Sequence, residues 1–200
     1  MLRHRRMQQR RAMRTAVAVL ALSILGGPVA AQDASPAPGA SVEPDRPTAG
    51  AFEAIIPTEL AGVELERLSY SGDDLAAGAD EDDPIAELTA LAEANGATIS
   101  DLFVASGSSS DDGVFVGVLA ATISGVPAAR FADELTPLIL ELGPDVTMTN
   151  EVIAEREVIR VGPGSGLTGE APVFVFEQGE VVWYVVADHD LLEQVIGAMP

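Results

Sequence analysis

The stretch VFVFEQGEVVWYVVA, residues 173–187, decides the fold class of this chain. Two runs of β-branched and aromatic residues flank the polar segment Glu177-Gln178-Gly179-Glu180, which has the composition of a tight turn. Residues 173–176 and 181–187 are therefore predicted to be two antiparallel strands of one hairpin. They are the most apolar part of the domain, so at least one face of this hairpin is expected to lie in the core.

The same hairpin is the main functional lead. If helices cover only one side of the sheet, the other side exposes an apolar patch, and such patches mark partner-binding surfaces. If helices cover both sides, or if these strands lie at the centre of the sheet, the same residues belong to the core. The candidate interaction surface comprises Val182, Trp183, Tyr184 and Val186.

Outward from the hairpin, two further segments have clear patterns. Residues 84–94 begin with a proline after Asp83, repeat apolar residues at helical intervals and end before Asn95-Gly96, a typical helix stop. Residues 73–83, just before this helix, are predicted to be a loop. Residues 113–123 are apolar on both faces and are therefore predicted to be a central strand.

The remaining segments complete the order β-α-β-β-α-β-β-β-β-α. Short connections between consecutive strands favour antiparallel pairing, and clustered strands favour an α+β fold over a doubly wound one. The expected fold class is α+β, with a largely antiparallel sheet of about six to seven strands and three helices. The predicted strands are residues 63–70, 99–106, 113–123, 146–154, 157–161, 173–176 and 181–187, and the predicted helices are 84–94, 127–142 and one that starts at 188–190.

The N-terminus has the pattern of an export signal. Residues 1–14 hold six Arg and no acidic residue, residues 15–25 are almost wholly apolar, and a Gly-Gly-Pro break follows. Small residues at Val29-Ala30-Ala31 predict signal-peptidase cleavage after Ala31. The apolar run of about 11 residues is shorter than the roughly 20 that span a bilayer. An uncleaved anchor is the alternative, and the general secretory route is favoured over the twin-arginine route.

Beyond the leader the chain divides into a tail and one domain. The segment QDASPAPGASVEPDRPTAG, residues 32–50, is dense in Pro, Ala, Ser and Gly and shows no apolar periodicity. The expected organisation is a signal peptide at 1–31, a disordered tail at 32–51 and a single α+β domain at 52–200. A domain of about 150 residues buries enough surface to fold without disulfides.

The exported part is strongly acidic. The whole chain has 11 basic residues, all Arg, against 31 acidic residues, a net charge of −20. Because six Arg and no acid lie in the leader, the chain from Gln32 carries five basic and 31 acidic residues, a net charge of −26. Such a surface repels nucleic acid and anionic lipid, so we expect neither nucleic-acid binding nor membrane association after cleavage. The expected location is secreted or periplasmic.

Motifs for catalysis are few. The chain has no Cys, which excludes disulfides, thiolate metal sites and cysteine nucleophiles. Gly164, Gly166 and Gly169 match a dinucleotide-binding pattern, but a strand follows them where a pyrophosphate needs a helix N-terminus. His189 lies between two Asp that are expected to cap a helix, and no Ser stands in a nucleophile-elbow pattern. No catalytic residue and no cofactor is predicted.

The densest acidic run, residues 80–83, offers carboxylates to a calcium ion. Its spacing fits no twelve-residue calcium loop, and acidic residues before a helix also stabilise the positive end of the helix dipole. Helix capping and solvation are the favoured interpretation. The weak candidates for metal ligands are Asp80, Asp82 and Asp83.

These patterns together predict an exported acidic protein that acts by binding rather than by catalysis. The expected partner of this interaction module is a protein or a small apolar ligand. Two alternatives stay open. One is a small secreted hydrolase that uses two carboxylates facing one cleft, and the other is a structural domain stabilised by calcium.

The leader yields the first testable prediction. We expect the protein recovered from the medium or periplasm of its own host to begin at Gln32, because small residues precede that position as signal peptidase requires. Intact mass spectrometry of the exported chain measures this directly. A chain that still carries residues 1–31 would instead identify an uncleaved N-terminal anchor.

Overall fold

The computed structural model describes residues 48–79, 83–109, 114–140, 146–162 and 171–200. These residues form one curled antiparallel sheet with helices packed on both faces, which confirms the predicted α+β class and antiparallel pairing. The predicted leader and residues 32–47 of the predicted tail lie outside these ranges. The strands are β1 (Glu59–Leu60), β2 (Val63–Ser71), β3 (Leu102–Ser109), β4 (Val116–Ile123), β5 (Met148–Ile153), β6 (Arg156–Val161), β7 (Val173–Gln178) and β8 (Val181–Ala187).

Eight strands and five α-helices lie in the described residues, more than the six to seven strands and three helices expected. No helix among them is long and apolar enough to cross a bilayer. Short 3-10 turns precede β3 and α4. The helices are α1 (Ala49–Glu53), α2 (Gly72–Gly78), α3 (Ile85–Ala94), α4 (Ala132–Leu140) and α5 (Leu192–Ala198), and the turns are Ile99–Asp101 and Ala128–Arg130.

The two additional helices, α1 and α2, begin at local side-chain caps. In α2, the Ser71 amide donates to an Asp74 carboxylate oxygen at 2.9 Å and the Asp74 amide donates to the Ser71 hydroxyl at 3.2 Å. This reciprocal capping box starts a helix, so the prediction of a loop at 73–83 is wrong for α2. In α1, the Thr48 hydroxyl accepts from the Ala51 amide at 3.2 Å, and the helix begins within the stretch assigned to the tail.

The strand order is β1-β2-β3-β4-β8-β7-β6-β5. Two four-strand meanders, β1–β4 and β5–β8, therefore meet where β4 pairs with β8. All eight residues of β4 are buried, which confirms that this apolar segment is a central strand. Its unbroken apolar sequence follows from this position, because both of its faces are covered.

Each face of the sheet has its own buried layer. The layer that contains α2, α3 and α4 is here named the α4 face, and the layer that contains α1 and α5 is named the α5 face. If the two meanders were related by two-fold symmetry, the axis would lie between the antiparallel neighbours β4 and β8 and be perpendicular to the sheet. The helices that follow these two strands, α4 and α5, would then lie on the same face. Because α4 and α5 lie on opposite faces, the two meanders are not related in this way.

The candidate interaction surface on β8 needs correction. Val182, Tyr184 and Val186 point to the α4 face and Trp183 points to the α5 face, and none of the four is more than 7% exposed. Trp183 also stacks on Phe176 of β7, with ring centroids 6.3 Å apart. The expected apolar patch is therefore not exposed in this chain, because helices cover both faces of these central strands.

The two edges of the sheet differ. On the outer side of β2, the Leu65 amide donates to the Thr58 carbonyl at 2.9 Å and the Ser69 hydroxyl donates to the Ala49 carbonyl at 2.7 Å. The chain from α1 to β1 thus covers that edge. At the other end of the sheet, β5 pairs with β6 on one side, and no strand among the described residues pairs with its outer side.

Gly72 yields the second prediction. A side chain at this position would overlap the backbone carbonyl of Ile99, whereas a side chain at Gly78, in the same helix, would meet nothing within 4 Å. Gly72→Ala is therefore expected to lower the free energy of unfolding by about 1–3 kcal/mol, measured by urea denaturation. The matched control Gly78→Ala is expected to leave stability unchanged or to raise it by up to about 1 kcal/mol. Equal effects of the two substitutions would contradict the close approach of α2 to the turn at Ile99.

Candidate functional site

A groove of about 760 Å³ opens on the α4 face, between the first half of α4 and the strands β5, β6 and β7. From α4 it is lined by Ala132, Asp133 and Thr136, which lie on one side of the helix because residues four apart are neighbours. The lining is mixed in chemistry, with apolar residues, carboxylates, an amide and a hydroxyl. On the sheet side the lining residues are Asn150, Glu151, Val152, Glu155, Arg156, Glu157, Val158, Ile159, Val175, Phe176 and Glu177.

The strand register explains which side chains face the groove. Asn150 is paired with Ile159, and Val152 with Glu157, so these four side chains project from the same face of the β5–β6 hairpin. Ile159 is in turn paired with Val175 of β7. Because Ile159 and Val175 pack with the α4-face core, this shared face is the α4 face.

The groove lies where a strand ladder stops. Pairing between β6 and β7 ends at Ile159 and Val175, although both strands continue toward Glu157 and Glu177. Two residues beyond the last pair, these carboxylates project from the groove side of their strands. The sheet therefore presents two negative side chains where its two strands are no longer hydrogen-bonded to each other.

The charge of the groove is negative. Asp133, Glu157 and Glu177 are exposed, and none of the three forms an ion pair or hydrogen bond within the described residues. The hairpin adds Glu155 at its tip, and Glu151 of β5 faces the other side of the sheet, 3.9 Å from the Arg160 guanidinium.

Arg156 is the basic residue among those that line the groove, but its guanidinium interacts with groups outside the groove. Its guanidinium lies 4.6 Å from the centre of the Phe176 ring, on the α5 face. It also donates to the Gln178 side chain at 3.1 Å, to the Met199 carbonyl at 3.3 Å and to Pro200 at 3.2 Å. Arg156 thus attaches the segment after α5 to the sheet and does not neutralise the groove.

A buried hydroxyl pair lies under the groove. The Thr136 hydroxyl is 3.4 Å from the Tyr184 hydroxyl, and both residues are buried. Burial in this apolar layer raises the pKa of Tyr184 well above its ordinary value; the Thr136 hydrogen bond opposes this shift in part, and the Glu177 carboxylate adds a smaller increase. The tyrosine of the candidate interaction surface thus supports the groove from below and does not itself face a partner.

The other predicted residues are not brought together. Asp80 and Asp82 lie outside the described residues, as does the glycine loop at 164–169, while Asp83 lies before α3 and is half-buried. The N-cap residue of α3 is Pro84 and not, as predicted, Asp83. Within the described ranges, no group of three or more His, Asp and Glu side chains is placed to hold a metal ion.

His189 is exposed, and its neighbour Asp188 has a structural role. The Asp188 carboxylate accepts from the Phe115 amide at 3.0 Å, and the Asp188 amide donates to the Phe115 carbonyl at 3.0 Å. Asp188 therefore anchors the start of β4 and does not orient His189. The N-cap of α5 is Leu191 without a side-chain hydrogen bond, so the predicted acidic cap of this helix is wrong.

Sequence reasoning missed the groove. Its signal is present in β5, whose sequence MTNEVI places Met148, Asn150 and Val152 on one face with apolar residues at both ends. Alternation of this kind normally indicates burial of the apolar face, yet Val152 is 70% exposed.

No protein-family model, no curated protein and no solved structure matches this chain. The groove is therefore interpreted from its own geometry.

Tyr184 yields the third prediction. Above pH 10 the unfolded chain loses the phenol proton that the native protein retains, because the native pKa is raised. The contribution of Tyr184 to the free energy of unfolding is therefore fully present below pH 10. Above pH 10 it falls by about 1.4 kcal/mol per pH unit until the native pKa is reached. Urea denaturation at pH 9–11.5 should show a steeper loss in the wild type than in Tyr184→Phe.

Tyr70→Phe is the matched control. Tyr70, the other tyrosine of the chain, is half-buried, and its pKa is raised by partial burial and by the nearby Asp74 carboxylate. Removing its hydroxyl should flatten the pH dependence less than Tyr184→Phe does. Identical slopes in the wild type and Tyr184→Phe would refute the buried, protonated state of Tyr184.

Proposed function

We propose that this protein is exported and acts by binding a partner in the acidic groove between α4 and the β5–β7 strands. The observation that carries the proposal is that one concave surface combines apolar side chains with carboxylates that have no partner among the described residues. Val152 is 70% exposed there, while Asp133, Glu157 and Glu177 lie around the same space. By contrast, the aromatic side chains of β7 and of the neighbouring strand β8 are buried in the layers on the two faces of the sheet; they are Phe174, Phe176, Trp183 and Tyr184. Exposed apolar surface with a polar rim is typical of a binding site.

Export is supported by the sequence of the leader. The basic residues 1–14, the apolar run at 15–25 and the small residues before Gln32 follow the order of a signal peptide. The acidic chain that remains is compatible with solubility in the medium or the periplasm. We therefore place the binding function outside the cytoplasm.

A carboxylate hydrolase is the alternative that the groove itself favours. Asp133, Glu157 and Glu177 surround one space, as acid and base catalysis on a glycoside would require. However, all three side chains are exposed to solvent, whereas catalytic acids work from sites that exclude water. Binding accounts for the exposed Val152 and hydrolysis does not. The calcium-stabilised domain is the other alternative, and two of its candidate ligands lie outside the described residues.

Native mass spectrometry of the full chain exported by its own host tests the proposal. We expect the wild type to retain the added mass of a partner, and Val152→Asp to lose it, because a charge at this position abolishes the apolar contact in the groove. Leu68→Asp is the matched control: Leu68 is 46% exposed on β2, in the other meander, so this variant should retain the partner.

The outcomes separate the three functions. Equal retention in Val152→Asp and wild type, or a bare wild-type chain, would refute binding in the groove. A retained calcium ion that a chelator removes, with a lower melting temperature afterwards, would identify the calcium-stabilised domain instead. Hydrolysis of glycosides by the wild type and its loss in Glu157→Gln would identify the hydrolase.

A further inference from the structure

We propose that the partner is an extended, basic segment of another protein, which adds as a ninth strand to the outer edge of β5 and directs alternate side chains into the acidic groove. This inference rests on the proposed function and names the partner chemistry and the mode of binding. Strand addition of this kind uses main-chain hydrogen bonds for affinity and side-chain pockets for specificity.

The first support is the difference between the two edges of the sheet. Strand edges carry unpaired backbone groups, and proteins usually cover them. The outer side of β2 is covered by the α1–β1 segment, through the bonds of Leu65 and Ser69 and a 3.2 Å hydrogen bond from the Arg67 guanidinium to the Ile56 carbonyl. No described residue covers the outer side of β5 in the same way, although β5 is three times as long as β1.

The second support is the direction of the backbone groups of β5. The β5–β6 hairpin turns through Ala154 and Glu155, both with positive φ, so Ile153 and Arg156 are the pair that closes a two-residue turn. That pair exchanges hydrogen bonds in such hairpins, and bonded pairs then alternate along the ladder. The amides and carbonyls that point outward are therefore those of Met148, Asn150 and Val152.

The third support is that the side chains of these three residues share the α4 face of the sheet, where Asn150 and Val152 line the groove. An added strand bonded to their backbone would place alternate side chains beside Met148 and Val152, which are 48% and 70% exposed. These are two of the three large apolar side chains exposed in the described part of the chain. Cross-strand contact with them favours partner side chains with a long aliphatic stem, such as arginine, whose stem can cover an apolar neighbour while its charged end extends further.

The fourth support is charge complementarity, which selects among partners. A long basic side chain directed across β5 would meet the carboxylates of Glu157, Glu177 and Asp133, which lack cationic partners within the described residues. A second copy of this chain would bring the same acidic groups to the edge, and opposed like charges destabilise strand pairs. Residues 32–47 of this chain contain three acidic residues and one Arg. This segment is therefore negatively charged and does not complement the acidic groove.

The probe is a capped peptide of alternating arginine and valine, six residues long to match β5. Its binding to the full exported chain is measured by NMR titration, with amide hydrogen exchange as the structural readout. We expect saturable binding and slower exchange at the outward amides of Met148, Asn150 and Val152. We also expect the dissociation constant to rise at least about tenfold between 0.05 and 0.5 M salt, because exposed charges are then screened.

Two variants separate backbone pairing from charge. Asn150→Pro removes an outward amide without breaking the β5–β6 ladder, since proline is tolerated where the edge amide faces solvent. It should abolish binding, whereas Asn150→Ala, which keeps the backbone amide and removes only one side chain of the groove lining, should weaken binding by less than about tenfold. The double substitution Glu157→Lys with Glu177→Lys should weaken binding at least about tenfold. The same change of net charge at Glu64 and Glu66, both exposed on β2, should leave it within about twofold.

A second peptide guards against a failure of Asn150→Pro to fold. N-methylation of the peptide amides that would pair with β5 removes the main-chain hydrogen bonds and leaves all side chains in place, so this peptide should not bind. If the methylated peptide or spermine binds in the groove as tightly as the alternating peptide, the strand-addition inference is overturned and the binding function stands.

The remaining outcomes also discriminate. If the alternating peptide does not bind but the exported chain retains a partner that Val152→Asp loses, the function holds and the partner class is wrong. If neither occurs, both proposals fail. Dimerisation of the chain through β5, detected by light scattering and abolished by Asn150→Pro, would overturn the basic partner in favour of a second copy.

Discussion

The pairing of β4 with β8 is the interaction on which the rest of this structure depends. Seven residue pairs, from Val116 with Ala187 to Thr122 with Val181, join the two meanders into one sheet. Large and small side chains face each other across the junction, as where Trp183 is opposite Ala120, which lets both layers pack densely. Because helices cover both sides of this junction, the most apolar strands of the chain are buried and leave no exposed patch at the centre.

The site arises where this coverage ends. Helix α4 packs over the central strands, while the β5–β6 hairpin extends beyond it, and the β6–β7 ladder stops at Ile159 and Val175. The groove is therefore the space between a helix and a hairpin that the helix does not reach. Its carboxylates are on strands and on the first turn of α4, so the scaffold positions them even though they are exposed. The groove and the open side of β5 are adjacent, because two of the three residues with outward backbone groups, Asn150 and Val152, also line the groove.

Several elements were predictable because local chemistry determines them. The bounds of β8 agree with prediction, and β4 is central, since an apolar run on both faces suits only a doubly covered strand. Helix α3 lies within its predicted range, and its stop at Asn95-Gly96 follows from the positive φ of Gly96. Helix α2 was missed because it is short and has a single large apolar residue, Leu75, and because the Ser71–Asp74 capping box was not recognised as a start signal. The groove was missed because Val152 and Met148 follow the same alternation as buried strand residues.

The sequence by itself determined the acidity of the chain, the pattern of the leader, the antiparallel α+β class and the strands and helices whose periodicity is strong. Those properties depend on composition and on neighbours a few residues apart. Only the tertiary structure decided that both faces of β8 are covered, that one sheet edge is covered while no strand in the described part of the chain pairs with the other, and that Asp133 shares a groove with Glu157 and Glu177. These properties depend on which helix packs over which strand, and contacts between residues far apart in the chain leave no periodic signal in its sequence.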